Sequence, residues 1–231
     1  MSANRSIAVL VHLFTLSGVV LALLAMDAVV RGDLPSAFAW LGLALIVDGA
    51  DGPLARHFRI REYLPRWQGE VFDLIIDYVT YVFIPAFMLL WGSVVPDGWE
   101  LPAAGLICVT SAFHFADLKH KTKDWYFFGF PAIWNVVVFY LVVFALPPIA
   151  SMVLIVFFAV MTFVPAAYIH PMRVTRMRRV TMIVSIAWMI CALAAVVQGL
   201  NPETWIKIGL VVTMAYFAGI SLWRSVNLTA V

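Results

Sequence analysis

The sequence predicts an all-α integral membrane protein, a single domain over residues 1–231 built as a bundle of about eight transmembrane helices. Three observations predict it. The chain is 64% hydrophobic and only 12% charged, with a mean hydropathy of +0.97, whereas soluble domains are nearer half apolar and a quarter charged. Its apolar residues fall into runs long enough to cross a bilayer, broken by Pro, Gly and charge. Its basic residues gather in alternate connections between those runs.

The first run, about 7–29, follows Met-Ser-Ala-Asn-Arg-Ser and is longer than the apolar core of a secretory signal, so a retained span is expected. Arg31-Gly32-Asp33 is a turn signal, and Asp27 and Arg31, four apart, read as a local ion pair. The second span is expected at 36–56. The segment from His57 to Gln68 mixes arginines with Phe58, Ile60, Tyr63, Leu64 and Trp67, as an interfacial helix would. A third span at 69–91 ends before Pro96-Asp97-Gly98, and the shortest follows at 101–116. Spans at 129–146 and 149–168 meet at Pro147-Pro148, and those at 181–199 and 205–223 meet at Asn201-Pro202.

Of the fifteen Lys and Arg residues, all but Arg31 and Lys207 fall on the side that holds both termini. Asp33, Asp97, Glu100 and Glu203 collect on the other side. The positive-inside rule then puts both termini in the cytoplasm. Arg173, Arg176, Arg178 and Arg179 form a basic loop, which anchoring and anionic lipid suffice to explain. A net charge of +2 gives no reason to expect nucleic acid. Cys108 and Cys191 both sit in apolar runs, which implies no disulfide framework, and no Cys/His cluster has zinc spacing.

Asp48, Asp51, Asp73 and Asp77 stand inside two of the apolar runs. A carboxylate at the centre of a bilayer costs about 2.5–3.5 kcal/mol on the most lenient scale, so four need compensation. Spacings of three and four place each pair on one helix face. Gly52, Ala55 and Gly69 lie beside them, where small side chains let a ligand or helix come close. Consecutive antiparallel helices would bring both pairs to one centre in the inner leaflet, opening to the cytoplasm. Two hard divalent cations, which prefer oxygen ligands, would balance the four charges. A single such Asp is often just a paired structural group. An acid-lined cation pathway in a transporter is the alternative of another class, although neither broken helices nor an inverted repeat is legible.

The string Asp48-x2-Asp51-Gly52-x2-Ala55-Arg56…Gly69-x3-Asp73-x3-Asp77 resembles the signature of the CDP-alcohol phosphotransferases, integral membrane enzymes of phospholipid synthesis. Twelve residues separate Arg56 from Gly69, where most of that family has eight. The longer gap is similar to that of the bacterial phosphatidylcholine synthases, with Ile60, Pro65 and Tyr81 in register; Ile60 and Phe72 replace a more usual valine and leucine. Residues 111–135, ending in Phe128-Gly129-Phe130-Pro131-Ala132-Ile133-Trp134-Asn135, also resemble that subfamily, and no motif beyond about residue 180 does.

The resemblance implies Asp48, Asp51, Asp73 and Asp77 as ligands of two divalent metal ions, Mn2+ or Mg2+, with Asp77 also the catalytic base. It implies a CDP-diacylglycerol site at Gly52, Ala55, Arg56 and Gly69, with His12 and Thr15 beside the nucleotide; helix-packing hydrogen bonds explain those last two about as well. The implied reaction gives phosphatidylcholine and CMP from CDP-diacylglycerol and choline, in the bacterial inner membrane. Serine, inositol or glycerol phosphate stand as other acceptors. Choline, a quaternary ammonium, is usually held by aromatic faces. Tyr78, Tyr81, Trp134 and Asn135 are the candidates, and Phe115, Trp125, Tyr126 and Phe128 crowd the same region. Aromatics favour membrane interfaces in any case. Homodimers are common among the enzymes resembled, and nothing in the sequence locates an interface.

Overall fold

The computed structural model describes residues 3–117, 126–171, 174–175 and 177–227. Lys119, Lys121, Lys123, Trp125, Arg173 and Arg176, basic or aromatic residues that the sequence singles out, lie outside the described residues. Helices dominate: α1 (Ala3–Val30), α2 (Leu34–His57), the single turn α3 (Ile60–Tyr63), α4 (Gly69–Asp77), a π-helical segment (Tyr78–Phe83), α5 (Ile84–Leu89), α6 (Glu100–Ala116), α7 (Trp134–Val143), α8 (Pro148–Met161), α9 (Arg178–Val197) and α10 (Thr204–Val226). The segments from Gly69 to Leu89 form one continuous span.

Asn4–Val30, Leu34–His57, Gly69–Leu89, Arg178–Val197 and Thr204–Val226 are long and apolar enough to cross a membrane. Glu100–Ala116, Trp134–Val143 and Pro148–Met161 are apolar but shorter. Each of the eight expected apolar runs therefore contains a helix, and five of these helices are long enough to span. The expectation of eight spans near twenty residues needs correcting for two of them. Residues 129–133 and 162–169 leave the helices, and β1 (Tyr126–Phe128) pairs antiparallel with β2 (Ala167–Ile169).

Gly129 is the reason the chain can turn there. Its φ is +77°, a region that disfavours any Cβ, and a Cβ at this position would collide with the carbonyl of Thr162. The close approach lets Gly129 N–H donate to Ala166 O (2.9 Å) and Phe130 N–H to Met161 O (3.0 Å). The far edge of β2 is covered by α10: Ala167 N–H donates to Ser225 Oγ (2.8 Å) and Ile169 N–H to Ser221 Oγ (3.1 Å). Two serines one helical turn apart thus satisfy alternate amides of an edge strand that water would otherwise have to solvate.

α1 runs along α2, and small residues on both, among them Ala22, Ala25, Ala37 and Ala44, are buried there. That is how helices pack where apolar burial alone gives no drive, since lipid is as apolar as leucine. Asp33 caps α2, its carboxylate accepting Ser36 N–H at 3.1 Å. The bond holds the Asp33 carboxyl below its usual range, because it favours the charged form. Asp27 and Arg31 form the expected ion pair at 2.8 Å.

The segment expected as an interfacial helix is helical only over α3, entered through Arg59 at φ +48°. Its Ile60 and Leu64 are buried against Ala8 and Val11 of α1. The main core lies under α5, α6 and α7, with Ile84, Met88, Ile107, Trp134 and Val138 fully enclosed. Ile183, Ile186, Ile190 and Leu193 project outward from α9, as Leu10, Leu13, Val20 and Leu23 do from α1. Apolar faces this continuous suit lipid, not water.

Candidate active site

Two neighbouring elements carry the acidic residues. α2 brings Asp48 and Asp51 towards its C-terminal end, and α4 starts at Gly69 and presents Asp73 and Asp77 on the way back. One oxygen from each of Asp48, Asp73 and Asp77 lies within 4.8 Å of the others, and all three side chains are half-buried. Like charges at that spacing repel by about 3 kcal/mol per pair at an effective dielectric near 20. An all-oxygen, acceptor-only set is what a hard divalent cation relieves and what a soft or nitrogen-seeking metal does not select. These residues fit such an ion.

Asp51 is only 7% exposed. It stands outside that tight trio but lines the same cavity as Asp48 and Asp73, together with Thr15, Gly18, Ala44, Val47 and Ile76. Asp48 has a further partner. The Tyr81 hydroxyl donates to Asp48 Oδ2 at 2.6 Å, a short bond of the kind a charged acceptor makes.

Tyr81 lies in the π-helical segment, immediately after Asp77. Four residues of α-helix overshoot a full turn by about 40°, so a regular helix would carry Asp73, Asp77 and Tyr81 progressively round its axis. A wider π turn closes later and cancels part of that drift, keeping the phenol in line with the carboxylates. Thr80 Oγ1 donates to Ile76 O (2.9 Å), adding a donor where the regular ladder gives way.

α1 supplies the third wall. Thr15 faces the cavity while its hydroxyl donates to Val11 O at 3.3 Å. His12, 8% exposed, meets Phe72 edge-on at 5.3 Å and lies against Gly69, where a Cβ would sit 3.5 Å from its Cε1. His12 Nε2 is buried without a hydrogen-bond partner. Gly18, which sequence reasoning missed, admits Ile76: a Cβ there would be 2.8 Å from Ile76 Cγ2. The available signal was its place about one turn beyond Thr15 on the same helix. Gly52 and Ala55 are half-buried on α2, Ala55 packs beside the Ala8–Ile60 cluster, and Arg56 is exposed in the helix's last turn.

The choline candidates are placed differently from one another. Tyr78 donates its hydroxyl to Cys108 O (2.9 Å) and sets its ring against Phe115. Trp134 is 0% exposed, its indole N–H donating to Ser111 Oγ at 2.8 Å. Asn135 is buried and its Oδ1 accepts Val136 N–H (2.9 Å). None of these three lines the carboxylate cavity. Tyr81 reaches the site, but with its hydroxyl; its ring belongs to the main core.

No protein-family model matches the chain. Curated relatives do. It is 43% identical over 223 residues to a phosphatidylcholine synthase of Pseudomonas aeruginosa, covering 96% of this chain and 93% of that one. The identity is 39% over 206 residues to the phosphatidylcholine synthase of Rhizobium meliloti, covering 89% and 86%. Against that of Borreliella burgdorferi it is 30% over 226 residues, covering 98% and 96%. Similarity of that extent, end to end, goes with a carboxylate cluster inside an apolar bundle, and the chain belongs to the phosphatidylcholine synthase family.

Proposed function

We propose that the protein transfers the phosphatidyl group of CDP-diacylglycerol to choline, releasing CMP. The observation that carries this reading is the convergence of Asp48, Asp73 and Asp77 within 4.8 Å, inside apolar helices of a chain about 40% identical to phosphatidylcholine synthases. Asp48, Asp73 and Asp77, with Asp51 behind them, would hold divalent cations, Mn2+ or Mg2+. Bound there, such cations supply positive charge against the pyrophosphate oxygens and the departing phosphate.

The chain's own residues do the rest. Asp77 accepts the proton of the choline hydroxyl as its oxygen bonds to the lipid-side phosphorus. The bond from that phosphorus to the CMP oxygen breaks, and CMP leaves with the electron pair. A carboxylate is a weak base for an alcohol, so alignment of the acceptor contributes much of the rate. Arg56 sits one helical turn past Gly52, where its guanidinium can reach a phosphate from the last turn of α2. Gly52, Ala55 and Gly69 keep the nucleotide side open, and His12 and Thr15 wall it from α1. Both termini and the site's opening face the cytoplasm of the inner membrane, a placement supported by the basic residues in the connections on that side.

The test is a product assay with purified protein, CDP-diacylglycerol and a panel of choline, serine, inositol and glycerol phosphate. Phosphatidylcholine and CMP in equal amounts, from choline alone, is the expected result. Turnover with another acceptor and none with choline would overturn the assignment.

A further inference from the structure

We propose that Tyr81 is a positioning residue that works through Asp48: its hydroxyl fixes the plane of that carboxylate so that one oxygen stays directed into the Asp48–Asp73–Asp77 cluster. The inference rests on the metal-dependent reading above and adds to it a residue that touches neither the cation nor either substrate.

The geometry sets the direction of the interaction. An ionised carboxylate only accepts, so the phenol must donate, and at 2.6 Å it makes a short charge-assisted bond to Oδ2. With Oδ2 held, the carboxylate cannot spin freely about its last bond. Without that hold, repulsion from Asp73 and Asp77, whose oxygens lie within 4.8 Å, would turn Asp48 aside whenever no cation is present. The bond crosses between two helices, from the π-helical segment to α2, so it also ties the relative position of the two carboxylate-bearing elements.

Tyr81 is 8% exposed and packed in the main apolar core, so it presents no open face to a quaternary ammonium. The π winding gives the arrangement its purpose: it holds residue 81 on the Asp73–Asp77 side, where a regular helix would rotate it away. Partners of this kind, one shell removed from a metal, typically change affinity by about 10- to 100-fold.

Tyr81→Phe removes the hydroxyl and keeps the ring. Titration of purified, metal-stripped protein with Mn2+, followed by the electron-spin signal of free Mn2+, should show binding weakened by about 10-fold or more. The Mn2+ concentration for half-maximal activity should rise with it, while KM for choline stays within about twofold. Tyr140→Phe is the control for loss of a hydrogen-bonded tyrosine hydroxyl as such. Tyr140 donates to Leu210 O at 2.8 Å, and its removal should leave Mn2+ binding unchanged.

In an Asp48→Asn background, Tyr81→Phe should add no further weakening, because the two residues act as one unit. Wild-type Mn2+ affinity in Tyr81→Phe, or a choline KM that rises at unchanged metal dependence, would overturn the proposal and leave the reaction itself standing. Failure of the unmutated protein to bind Mn2+ at all would overturn the metal reading and this one with it, and the two failures look different.

Discussion

Asp77 is the residue on which the proposed chemistry concentrates. Asp77→Asn keeps its volume and removes both the negative charge and the proton acceptor. CMP release should fall by about 10²- to 10⁴-fold, the usual worth of a positioned base, and more if cation binding is also lost. A rate within a factor of a few of wild type, measured as CMP formed in mixed micelles with CDP-diacylglycerol, would remove Asp77 from its role. The carboxylates were legible because four acids at helical spacing in apolar surroundings demand compensation, and bound cations are its simplest form. Tyr81 was half legible: sequence put it one turn beyond Asp77 but could not show the winding that turns its hydroxyl onto Asp48. Trp134 and Tyr78 are choline candidates because they sit in or beside the matched motifs. Their polar atoms found partners, Ser111 and Cys108, on α6, a choice that only packing makes.

At the scale of elements, every apolar run formed a helix over at least part of its length, since length and hydropathy are local properties. The β1–β2 ribbon was not legible, because three-residue strands at the ends of apolar runs carry no period. It depends on Gly129 meeting the Thr162 carbonyl and on serines of α10 some fifty residues away. Ser221→Ala should therefore destabilise the fold by about 1–3 kcal/mol, since it leaves the buried N–H of Ile169 without an acceptor. The check is a lowered thermal midpoint of the detergent-solubilised protein; an unchanged midpoint would mean that β2 does not need this partner. α2 offers a pH-dependent counterpart at its cap. The Asp33 carboxyl is held below its ordinary value by Ser36, so its contribution is full above that ordinary value and disappears as pH falls through the lowered one. Asp33→Ala should thus melt earlier than wild type at neutral pH, and the gap should close in acid. A gap independent of pH would assign the loss to something other than the charge.

The whole molecule joins a lipid-facing exterior to an acidic cavity, and the proposal that this cavity opens to the cytoplasm can be tested on the connections between the spans. Asp48 and Asp51 lie near the C-terminal end of α2, and Asp73 near the N-terminal end of α4, so the cluster is closest to the connection that contains α3. That connection carries Arg59, Arg61 and Arg66, whereas Asp33, Asp97 and Glu203 lie in connections at the opposite ends of their helices. A basic connection beside an acidic site is what the positive-inside rule places in the cytoplasm, and it would also draw the anionic head of CDP-diacylglycerol along the inner surface. Arg59→Cys should then react with a membrane-impermeant maleimide in inside-out vesicles and stay protected in right-side-out ones, with Glu203→Cys giving the reverse. The native Cys108 and Cys191 are half-buried within helices and can be set as background with the unmutated protein. Labelling of both positions from the same side would contradict the antiparallel order of the spans; a clean reversal of the two patterns would put the acidic site on the outer face, where it would have no access to a cytoplasmic nucleotide-lipid.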